Sequence, residues 1–573
     1  MTMPPIASGR TPLGKVVLIL AYLVCDYQTV LTRIDALQGG FSLLLFLAIY
    51  AAVAGSLLIC AFIRNTALRI SLAMLFSAAS VFQQSFVWTT SGPLTYETFL
   101  NLYNASDQVS LALAQHGPVI VAAIAVALLL FLGIALPPRR VIDPRVAFGT
   151  PILVLSCLTG MLYMRGGEGS IALPAAYPPL ALSGIMLAER SQEDSGPREP
   201  ATIPRRRAPA SQDIVMLIDE SIAGNYLDIN NTNGVRSGLA KARHGIRFTN
   251  FGYAASIHNC SANSNVVLRF GGTQDNYRHA IARWPSIWAY AHKAGMRTVY
   301  IDGQTSGGAL QNMMTPQERD EIDEFVQLDG VPIVQRDQRI ADLLAQHINN
   351  GKPELIYVNK VGAHFPVADK FPVERTLYKP VLDRAAGQSV SWTSDRTGFT
   401  GRADEWVRYR NSYRNAVAWN VGGFFDRLFA AADLKNATIL YTSDHGQDLH
   451  ERHNPGNNTH CGTDNAAMEE GLVPLGIIES ADATSLDWAK NLSVNHNASS
   501  DFRLFATALM LMGYDRNSVR DRYGVPLDEA DKPAMAYNVD FSPLLGRKPR
   551  YRAIDVSSVV TPPVSDYTML GKR

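Results

Sequence analysis

Acidic and histidine side chains follow two short apolar runs of this sequence. Asp219 and Glu220 follow the run DIVMLI, and Asp444 and His445 follow the run ATILYTS. Two carboxylates and an imidazole are a ligand set for a divalent ion, zinc first and manganese second. Acids at such positions also cap helices, which is the alternative for the first pair. The second pair is more specific, because an oxygen ligand and a nitrogen ligand stand side by side before Gly446, which permits a turn.

Two serines lie between these runs and are candidate nucleophiles. Ser261 and Ser264 belong to the segment AASIHNCSANSNVVLRFGG, where small polar residues precede an apolar run with a helical pattern. A hydroxyl group at a helix start can attack phosphorus, since a metal ion lowers its pKa and the helix N-terminus stabilises negative charge. The alternative is that both serines only cap the helix.

Histidines in two further segments complete the set. His364 lies in NKVGAHFPV, after another apolar run, and His460 lies in NNTHCGTDN, before the run VPLGII. Either imidazole could bind a substrate phosphate or donate a proton to a leaving group. His450 and His453 compete for the same roles, and a lone histidine is more often structural.

Five β-rich runs alternate with helical patterns after residue 212. Continuous apolar strands separated by helices predict an α/β domain with a mainly parallel sheet that is covered on both faces. Ligands gather at the carboxyl ends of such strands, so the candidate residues should meet at one edge of the sheet. The five predicted strands are DIVMLI (213–218), MRTVYI (296–301), ELIYVNKV (354–361), ATILYTS (437–443) and VPLGIIE (473–479).

The first 165 of the 573 residues are much more apolar than the rest. The mean hydropathy of the chain is 0.00, yet the long apolar runs all fall in this part. A transmembrane helix needs roughly 17 to 25 such residues. We expect a transmembrane domain over 1–165, an interfacial segment and linker over 166–212, and a catalytic domain over 213–573. The five predicted spans are 14–33, 41–62, 68–89, 117–137 and 146–164.

Charges in the short connections predict the orientation, since Lys and Arg accumulate on the cytoplasmic side of a membrane. The connection 90–116 contains neither, so we expect it outside. An odd number of spans then places the chain after residue 165 outside the cytoplasm, in the periplasm or its equivalent, and we expect an inner-membrane protein. The net charge of +1 and the absence of nucleic-acid-binding motifs argue against a nucleic-acid partner. The basic residues expected on the cytoplasmic side are Arg10, Lys15, Arg64, Arg69, Arg139, Arg140 and Arg145.

Polar residues near the outer ends of the spans are weaker candidates for lipid contacts. Asp26 and Arg33 are ionisable groups at membrane depth, which are costly and often functional; interfacial snorkelling is the alternative. The connection 90–116 carries polar residues at helical spacing that could bind substrate, the alternative being a solvated amphipathic turn. They are Asn101, Asn104, Asp107 and Gln108.

Cysteines are few in the α/β half. Cys260 and Cys461 are the two that lie there, whereas Cys25, Cys60 and Cys157 sit in apolar runs. Two cysteines are too few for a disulfide scaffold. A single bridge between them is compatible with an oxidising compartment.

The motifs together resemble the phosphoethanolamine transferase family of the alkaline phosphatase and sulfatase superfamily. LIDES resembles the metal-ligand motif of that family, and YTSDHGQDL is similar to its aspartate-histidine-glycine motif. The resemblance implies five membrane helices and a periplasmic catalytic domain. It also implies a phospholipid donor, phosphatidylethanolamine, and an envelope lipid or glycan acceptor. We expect a monomer.

Carried over residue by residue, the resemblance implies that Glu220, Asp444, His445 and the nucleophile hold zinc. The segment GAHFP resembles a histidine-containing motif of the family, which implies that His364 corresponds to the histidine of that motif. His460 is favoured over His450 and His453 because it lies fourteen residues before Pro474 of the run VPL, as its family counterpart does.

The sequence departs from the family at the nucleophile. The family has threonine two positions after a cysteine, and this chain has Ala262 there, so Ser261 is the expected substitute and Ser264 the second choice. The segment DGQTSGGALQNMM (302–314) also lacks the lysine of the headgroup-binding region. Phosphoglycerol transfer is therefore an enzymatic alternative, and a degenerate membrane-tethered binding module is one of another class. Sulfatase chemistry is not expected, because Cys260-Ser261 is not followed by the X-Pro-X-Arg motif.

Overall fold

The computed structural model describes residues 12–90, 92–104, 109–138, 141–191, 196–384, 401–454, 459–462, 466–483, 485–544 and 547–569. The chain divides into two compact units. An N-terminal unit comprises residues 1–193 with 543–547. A second unit comprises residues 194–542 with 548–573, and we name it the catalytic unit because it contains the predicted catalytic residues. Asp107, Gln108, Arg10, Arg139 and Arg140, which carried sequence predictions, lie outside the described residues.

The N-terminal unit is helical. Within its described residues, four helices are long and apolar enough to cross a membrane: Gly40–Cys60, Thr66–Thr89, Gly117–Ala135 and Arg145–Met164. The first predicted span differs from expectation: it is a pair of helices bent by 59° at Cys25 and Asp26, so the count is five if this pair is one span. The helices of the unit are α1 (Pro12–Val24), α2 (Tyr27–Leu37), α3 (Gly40–Cys60), α4 (Thr66–Thr90), α5 (Tyr96–Asn104), α6 (Val109–Ala135), α7 (Pro144–Met164) and α8 (Pro178–Arg190).

Basic side chains gather at one end of this helical unit. Lys15 donates a hydrogen bond of 3.0 Å to the carbonyl of Ile134, and Arg69 donates one of 3.1 Å to the carbonyl of Ala135. These carbonyls belong to the last turn of α6, where cations are favoured by the helix dipole. Residues from two predicted cytoplasmic connections therefore meet at the same end of the bundle, as the charge pattern requires.

A mainly parallel sheet forms the centre of the catalytic unit. Its order is β4-β3-β5-β1-β7-β8-β2-β9, with β8 antiparallel to both neighbours. All five predicted strands are present in it, while β2, β4 and β9 were not predicted. The strands of the unit are β1 (Asp213–Asp219), β2 (Ile246–Ala255), β3 (Arg297–Asp302), β4 (Glu324–Gln327), β5 (Glu354–Asn359), β6 (Tyr378–Lys379), β7 (Ala437–Ser443), β8 (Leu472–Ser480), β9 (Ser499–Ser500), β10 (Ala536–Asn538), β11 (Tyr551–Ala553) and β12 (Thr568–Met569).

Helices cover both faces of the sheet. Alternate residues of β1 face opposite cores: Met216 packs in the core that contains Trp288, and Leu217 packs in the core that contains Leu344. A strand buried on both faces is apolar throughout, which is why DIVMLI shows no polar alternation. The helices of the unit are α9 (Ser261–Phe270), α10 (Tyr277–Arg283), α11 (Ile287–Lys293), α12 (Pro316–Arg319), α13 (Ile333–Ile348), α14 (Ala403–Val417), α15 (Phe424–Ala431), α16 (Leu492–Asn495), α17 (Phe502–Leu511) and α18 (Arg516–Tyr523).

The segment expected as a linker, 166–212, is divided between the two units. Its apolar part contains α8, whose residues Leu182 and Ile185 are buried in the N-terminal unit. Its last part is attached to the catalytic unit, because the backbone N–H of Ala210 donates to the carbonyl of Leu511 over 2.7 Å. Backbone hydrogen bonds and apolar burial thus order much of a segment whose composition resembles an exposed linker.

Candidate active site

Glu220, Asp444 and His445 meet at the carboxyl edge of the sheet. The parallel pairing of β1 with β7 places Asp219 opposite Ser443, so the residues that follow both strands emerge together. One ligand atom from each of the three residues lies within 4.8 Å of the other two, and all three side chains are buried. Among the described residues, this is the group whose arrangement could hold a metal ion.

Tight backbone packing holds Glu220 in place. A Cβ atom at Gly362 would collide with the carbonyl oxygen of Glu220, so a larger residue there would displace this strand end. The next residue, Ser221, has a φ of +61°, which is uncommon for a side-chain-bearing residue. Its backbone N–H donates to Oδ1 of Asp444 over 3.0 Å. Such conformations persist where the surroundings over-determine them, here through the hydroxyl group of Tyr413, which donates to the Ser221 carbonyl over 2.8 Å.

The imidazole of His445 is oriented by its own backbone. Its Nδ1–H donates to the carbonyl of Gly446 over 2.7 Å, which leaves the lone pair of Nε2 directed at the other candidate ligands. Nε2 lies 3.4 Å from Oε1 of Glu220 and 3.9 Å from Oδ2 of Asp444. A neutral imidazole with this tautomer is the form that binds metal ions.

Ser261 is the first residue of α9 and faces the cluster. Its hydroxyl oxygen lies 3.1 Å from Oε1 of Glu220 and 3.2 Å from Nε2 of His445. The side chain is half-buried, so one side remains accessible. The N-terminal N–H groups of a helix attract anions, and α9 is ten residues long. The arrangement places an accessible hydroxyl group between the candidate ligands and a phosphate-binding element.

The electrostatics of the cluster favour a bound cation. Burial and the negative charge of Glu220 raise the pKa of Asp444 well above its ordinary value. Burial alone would lower the pKa of His445, but Asp444 and Glu220 outweigh it and raise this pKa to about 9. Oδ2 of Asp444 is buried and has no hydrogen-bond donor among the described residues. Two buried carboxylates, one of them with an unsatisfied oxygen, and an imidazole fit a divalent metal ion.

The structure places the two predicted histidines near this cluster. The ring of His460 stacks on that of His445 with centroids 4.7 Å apart, and Phe365 lies 5.9 Å from His460 and 4.6 Å from His364. Burial lowers the pKa of His364, partly against the charge of Glu220, so its neutral form is favoured. His450 packs instead on the ring of Trp406, with centroids 3.8 Å apart.

Other predicted residues are placed elsewhere. The Ser264 hydroxyl is buried and hydrogen-bonds both the N–H and the carbonyl of His258, each over 3.0 Å. His453 lies on the surface. Asn101, which is half-buried, and Asn104 belong to α5 of the N-terminal unit. Asp107 and Gln108 lie outside the described residues.

Two residues of the site were missed by sequence reasoning. The amide of Gln304, after β3, donates to Oε2 of Glu220 over 2.8 Å. Lys360, directly after β5, is fully buried, and its ammonium group lies 2.7 Å from Oδ1 of Asp219 and 3.9 Å from Oδ2 of Asp337. Gln304 follows a predicted strand, so the strand-end rule that selected Glu220 could have found it. Lys360 lies inside the predicted strand 354–361, and it became a strand-end residue only because the observed strand ends at Asn359.

A disulfide bond joins Cys260 to Cys461. Cys260 precedes Ser261 and Cys461 follows His460, so the bridge ties the segment of the candidate nucleophile to that of a candidate substrate-binding histidine. The two cysteines are 201 residues apart in sequence. The bridge is the one that the count of cysteines in this half allows.

Comparison with known proteins identifies a family and a fold for this chain. The family model described as Sulfatase matches residues 212–514. The integral membrane protein lipooligosaccharide phosphoethanolamine transferase A of Neisseria meningitidis has 13% sequence identity and a TM-score of 0.58, and the match covers 91% of this chain and 99% of that chain. No curated protein sequence matches significantly.

A second solved structure is the C-terminal periplasmic domain of EcEptC from Escherichia coli in complex with Zn. It has 17% identity and a TM-score of 0.46, and the match covers 59% of this chain and 93% of that chain. The match to the Neisseria meningitidis protein, with its TM-score of 0.58, shows the fold, and it extends over both units because it covers 91% of this chain. The family match spans more than half of the 573 residues, over the segment that holds all the candidate ligands. The chain therefore belongs to the sulfatase family and has the fold of a membrane-anchored phosphoethanolamine transferase.

Proposed function

We propose that this protein transfers the phosphoethanolamine headgroup of a membrane phospholipid to an envelope lipid or glycan through a covalent phosphoserine intermediate. The observation that carries the proposal is the position of the Ser261 hydroxyl group, within 3.2 Å of both Glu220 and His445 and at the start of α9. A nucleophile among metal ligands at a helix N-terminus suits phosphoryl transfer.

In the first step, the Ser261 oxygen forms a bond to phosphorus and the bond from phosphorus to the diacylglycerol oxygen breaks. Diacylglycerol gains the proton that Ser261 loses. We propose that His364 and His460 bind the nonbridging oxygens of the phosphate and carry this proton. A divalent ion, zinc by the ligand set, would be held by Glu220, Asp444, His445 and Ser261, and would supply charge stabilisation and a lowered hydroxyl pKa.

In the second step, an acceptor hydroxyl or phosphate oxygen bonds to phosphorus and the bond to Ser261 breaks. The acceptor loses a proton and Ser261 regains one, so the enzyme returns to its starting state. Half-exposure of Ser261 suits this exchange, because diacylglycerol must leave and an acceptor must enter the same space.

We place the enzyme in a bacterial inner membrane with the catalytic unit in the periplasm. The support is the meeting of Lys15 and Arg69 at one end of the helical unit, which suits the cytoplasmic side. A disulfide bond in the catalytic unit also suits an oxidising compartment.

Intact mass spectrometry of the full-length protein after incubation with phosphatidylethanolamine tests the proposal. We expect an adduct with the mass of one phosphoethanolamine in the wild type, and none in Ser261→Ala. Ser264→Ala is the matched control, because its hydroxyl group binds the backbone of His258 rather than the cluster. An adduct that persists in Ser261→Ala would contradict the assignment. An adduct formed only from phosphatidylglycerol would favour phosphoglycerol transfer instead.

A further inference from the structure

A cavity of about 480 Å³, with several polar side chains in an otherwise apolar wall, lies within the N-terminal unit. Its walls come from the break between α1 and α2, the last turns of α4, the connection after α4, and residues 170–175 after α7. Ser170 fixes one wall, because its hydroxyl group donates to the carbonyl of Leu94 over 2.6 Å. Lys15 lies in the first turn of α1 and Arg69 in the first turn of α4, whereas the cavity lies where these two helices end. The cavity is therefore at the opposite end of the bundle from these two basic residues.

Asp26 is the charged residue that lines this cavity. It lies where the helical backbone is interrupted, and non-helical backbone at membrane depth is tolerated where it lines a cavity. Its Oδ2 accepts a hydrogen bond of 3.1 Å from the amide of Gln84, and the indole of Trp88 interacts with the same carboxylate. No Lys or Arg in the described part of the chain forms an ion pair with it. An ionisable group without a counter-ion at this depth marks a binding site by default.

Two further acceptors in the cavity wall lack a donor. The side chains of Gln83 and Gln84 are only 5% and 2% exposed, and the amide oxygen of each has no hydrogen-bond partner among the described residues. A buried acceptor that is left without a donor is destabilising, because it has lost its hydrogen bonds to water. Both residues line the same cavity as Asp26. A ligand that brings several N–H donors and a positive charge would satisfy all three groups.

We propose that this cavity binds the ammonium group of an amine-bearing phospholipid headgroup, with Asp26 as its counter-ion and Gln83 and Gln84 as acceptors. A primary ammonium carries three N–H donors, which matches this number of acceptors. The described residues that line the cavity include no Lys, Arg or His, so they offer an anionic or glycerol headgroup no positive partner. The proposal rests on the proposed function, since it names the feature of the donor lipid that the protein recognises and favours ethanolamine over glycerol.

The ammonium group that binds in this cavity belongs to a lipid and not to a free amine. The cavity opens among helices that carry exposed apolar residues, such as Leu31 in α2 and Phe82 in α4, as lipid-facing helices do. Val87 and Ile171 add apolar surface beside the polar groups of the cavity. A headgroup with an attached acyl region fits such a lining better than free ethanolamine does.

Native mass spectrometry of the full-length Ser261→Ala protein in detergent, titrated with phospholipids, tests the proposal without turnover. We expect phosphatidylethanolamine to bind at least about tenfold more tightly than phosphatidylglycerol. Phosphatidylcholine should bind more weakly than phosphatidylethanolamine, because a quaternary ammonium has no N–H donor. Asp26→Asn should abolish the preference over phosphatidylglycerol. Asp35→Asn, the same change at an exposed position of α2, is the matched control and should retain it.

Equal affinity for phosphatidylethanolamine and phosphatidylglycerol in the parent protein would overturn the proposal, and so would an undiminished preference in Asp26→Asn. Displacement of the lipid by free ethanolamine at equal concentration would overturn the lipid source. If Asp26→Asn does not fold, Gln83→Met, which removes one buried acceptor at similar volume, should lower the preference instead. Binding is measured in a protein that lacks the nucleophile. A negative binding result would therefore contradict only the cavity proposal, whereas absence of the Ser261 adduct in the wild type would contradict the proposed function.

Discussion

The side-chain amide of Gln304 donates a hydrogen bond of 2.8 Å to Oε2 of Glu220, while the Ser261 hydroxyl group binds Oε1 of the same carboxylate over 3.1 Å. Gln304 also donates to the carbonyl of Lys360 over 2.9 Å. Both oxygens of Glu220 are therefore held, one by the loop after β3 and the other by the candidate nucleophile. Groups that orient a metal ligand in this way influence metal affinity although they do not touch the ion.

Gln304→Met should weaken metal binding about 10- to 100-fold, because the carboxylate of Glu220 loses the donor that fixes its rotation. Competition with a metal-binding dye measures the affinity. Gln311→Met is the matched control: Gln311 is an amide of the same loop that donates to Oδ1 of Asp302 over 2.8 Å and not to Glu220. Unchanged affinity in Gln304→Met would mean that Glu220 is positioned by other contacts.

Asp444→Asn should lose most of its bound metal, because one of three buried ligands loses its charge. Elemental analysis of the purified full-length protein gives the metal identity and the stoichiometry, with zinc expected first. Asp426→Asn should keep the wild-type content, since Asp426 forms surface ion pairs with Arg236 and Arg243. Wild-type metal content in Asp444→Asn would remove this residue from the site.

Reduction of the Cys260–Cys461 disulfide should lower the transfer rate at least about tenfold, because small displacements of reacting groups have large effects on rate. The protein should stay in the membrane fraction, since the bridge lies in the catalytic unit. Activity is assayed with and without reductant in membrane vesicles. The double variant Cys260→Ser with Cys461→Ser should have low activity that reductant does not change further. A rate unaffected by reduction would show that the bridge does not position the site.

Stability should depend on pH through Asp213, which is buried at the start of β1. Burial, together with the charge of Glu354, raises the pKa of Asp213 to about 7, whereas the unfolded chain has the ordinary value of about 3.9. Between these values the native state binds a proton that the unfolded state has released. The contribution of this group to the free energy of unfolding is therefore present at low pH and falls as the pH rises towards 7.

Asp213→Asn should remove this part of the pH dependence, because an amide does not titrate. The asparagine still offers an oxygen to the backbone N–H of Glu354, which in the wild type donates to Oδ1 of Asp213 over 3.2 Å. Thermal unfolding of the full-length protein at a series of pH values measures the effect. Asp482→Asn, the same change at an exposed position, should follow the wild-type profile. Parallel profiles for Asp213→Asn and the wild type would contradict the prediction.

The strand-end rule shows how far a sequence can locate a site of this kind. It selected Glu220, Asp444 and His445, and parallel pairing of β1 with β7 brings them together as the rule requires. It would also have selected Gln304 had it been applied to every strand, but not Lys360, because the predicted strand 354–361 runs past that residue whereas the observed strand ends at Asn359. It could not separate Ser261 from Ser264, because both stand in the first turn of one helix and only their partners differ.

The sequence alone determined the two-part organisation, the α/β class and the sheet edge that carries the polar residues, since these follow from apolar periodicity and from residue order along the chain. Tertiary structure decided which side chains meet. It bent the first apolar segment at Asp26 and set that carboxylate beside Gln84, a residue 58 positions away. Contacts between residues far apart in sequence depend on packing, and no local pattern encodes the distance between two side chains.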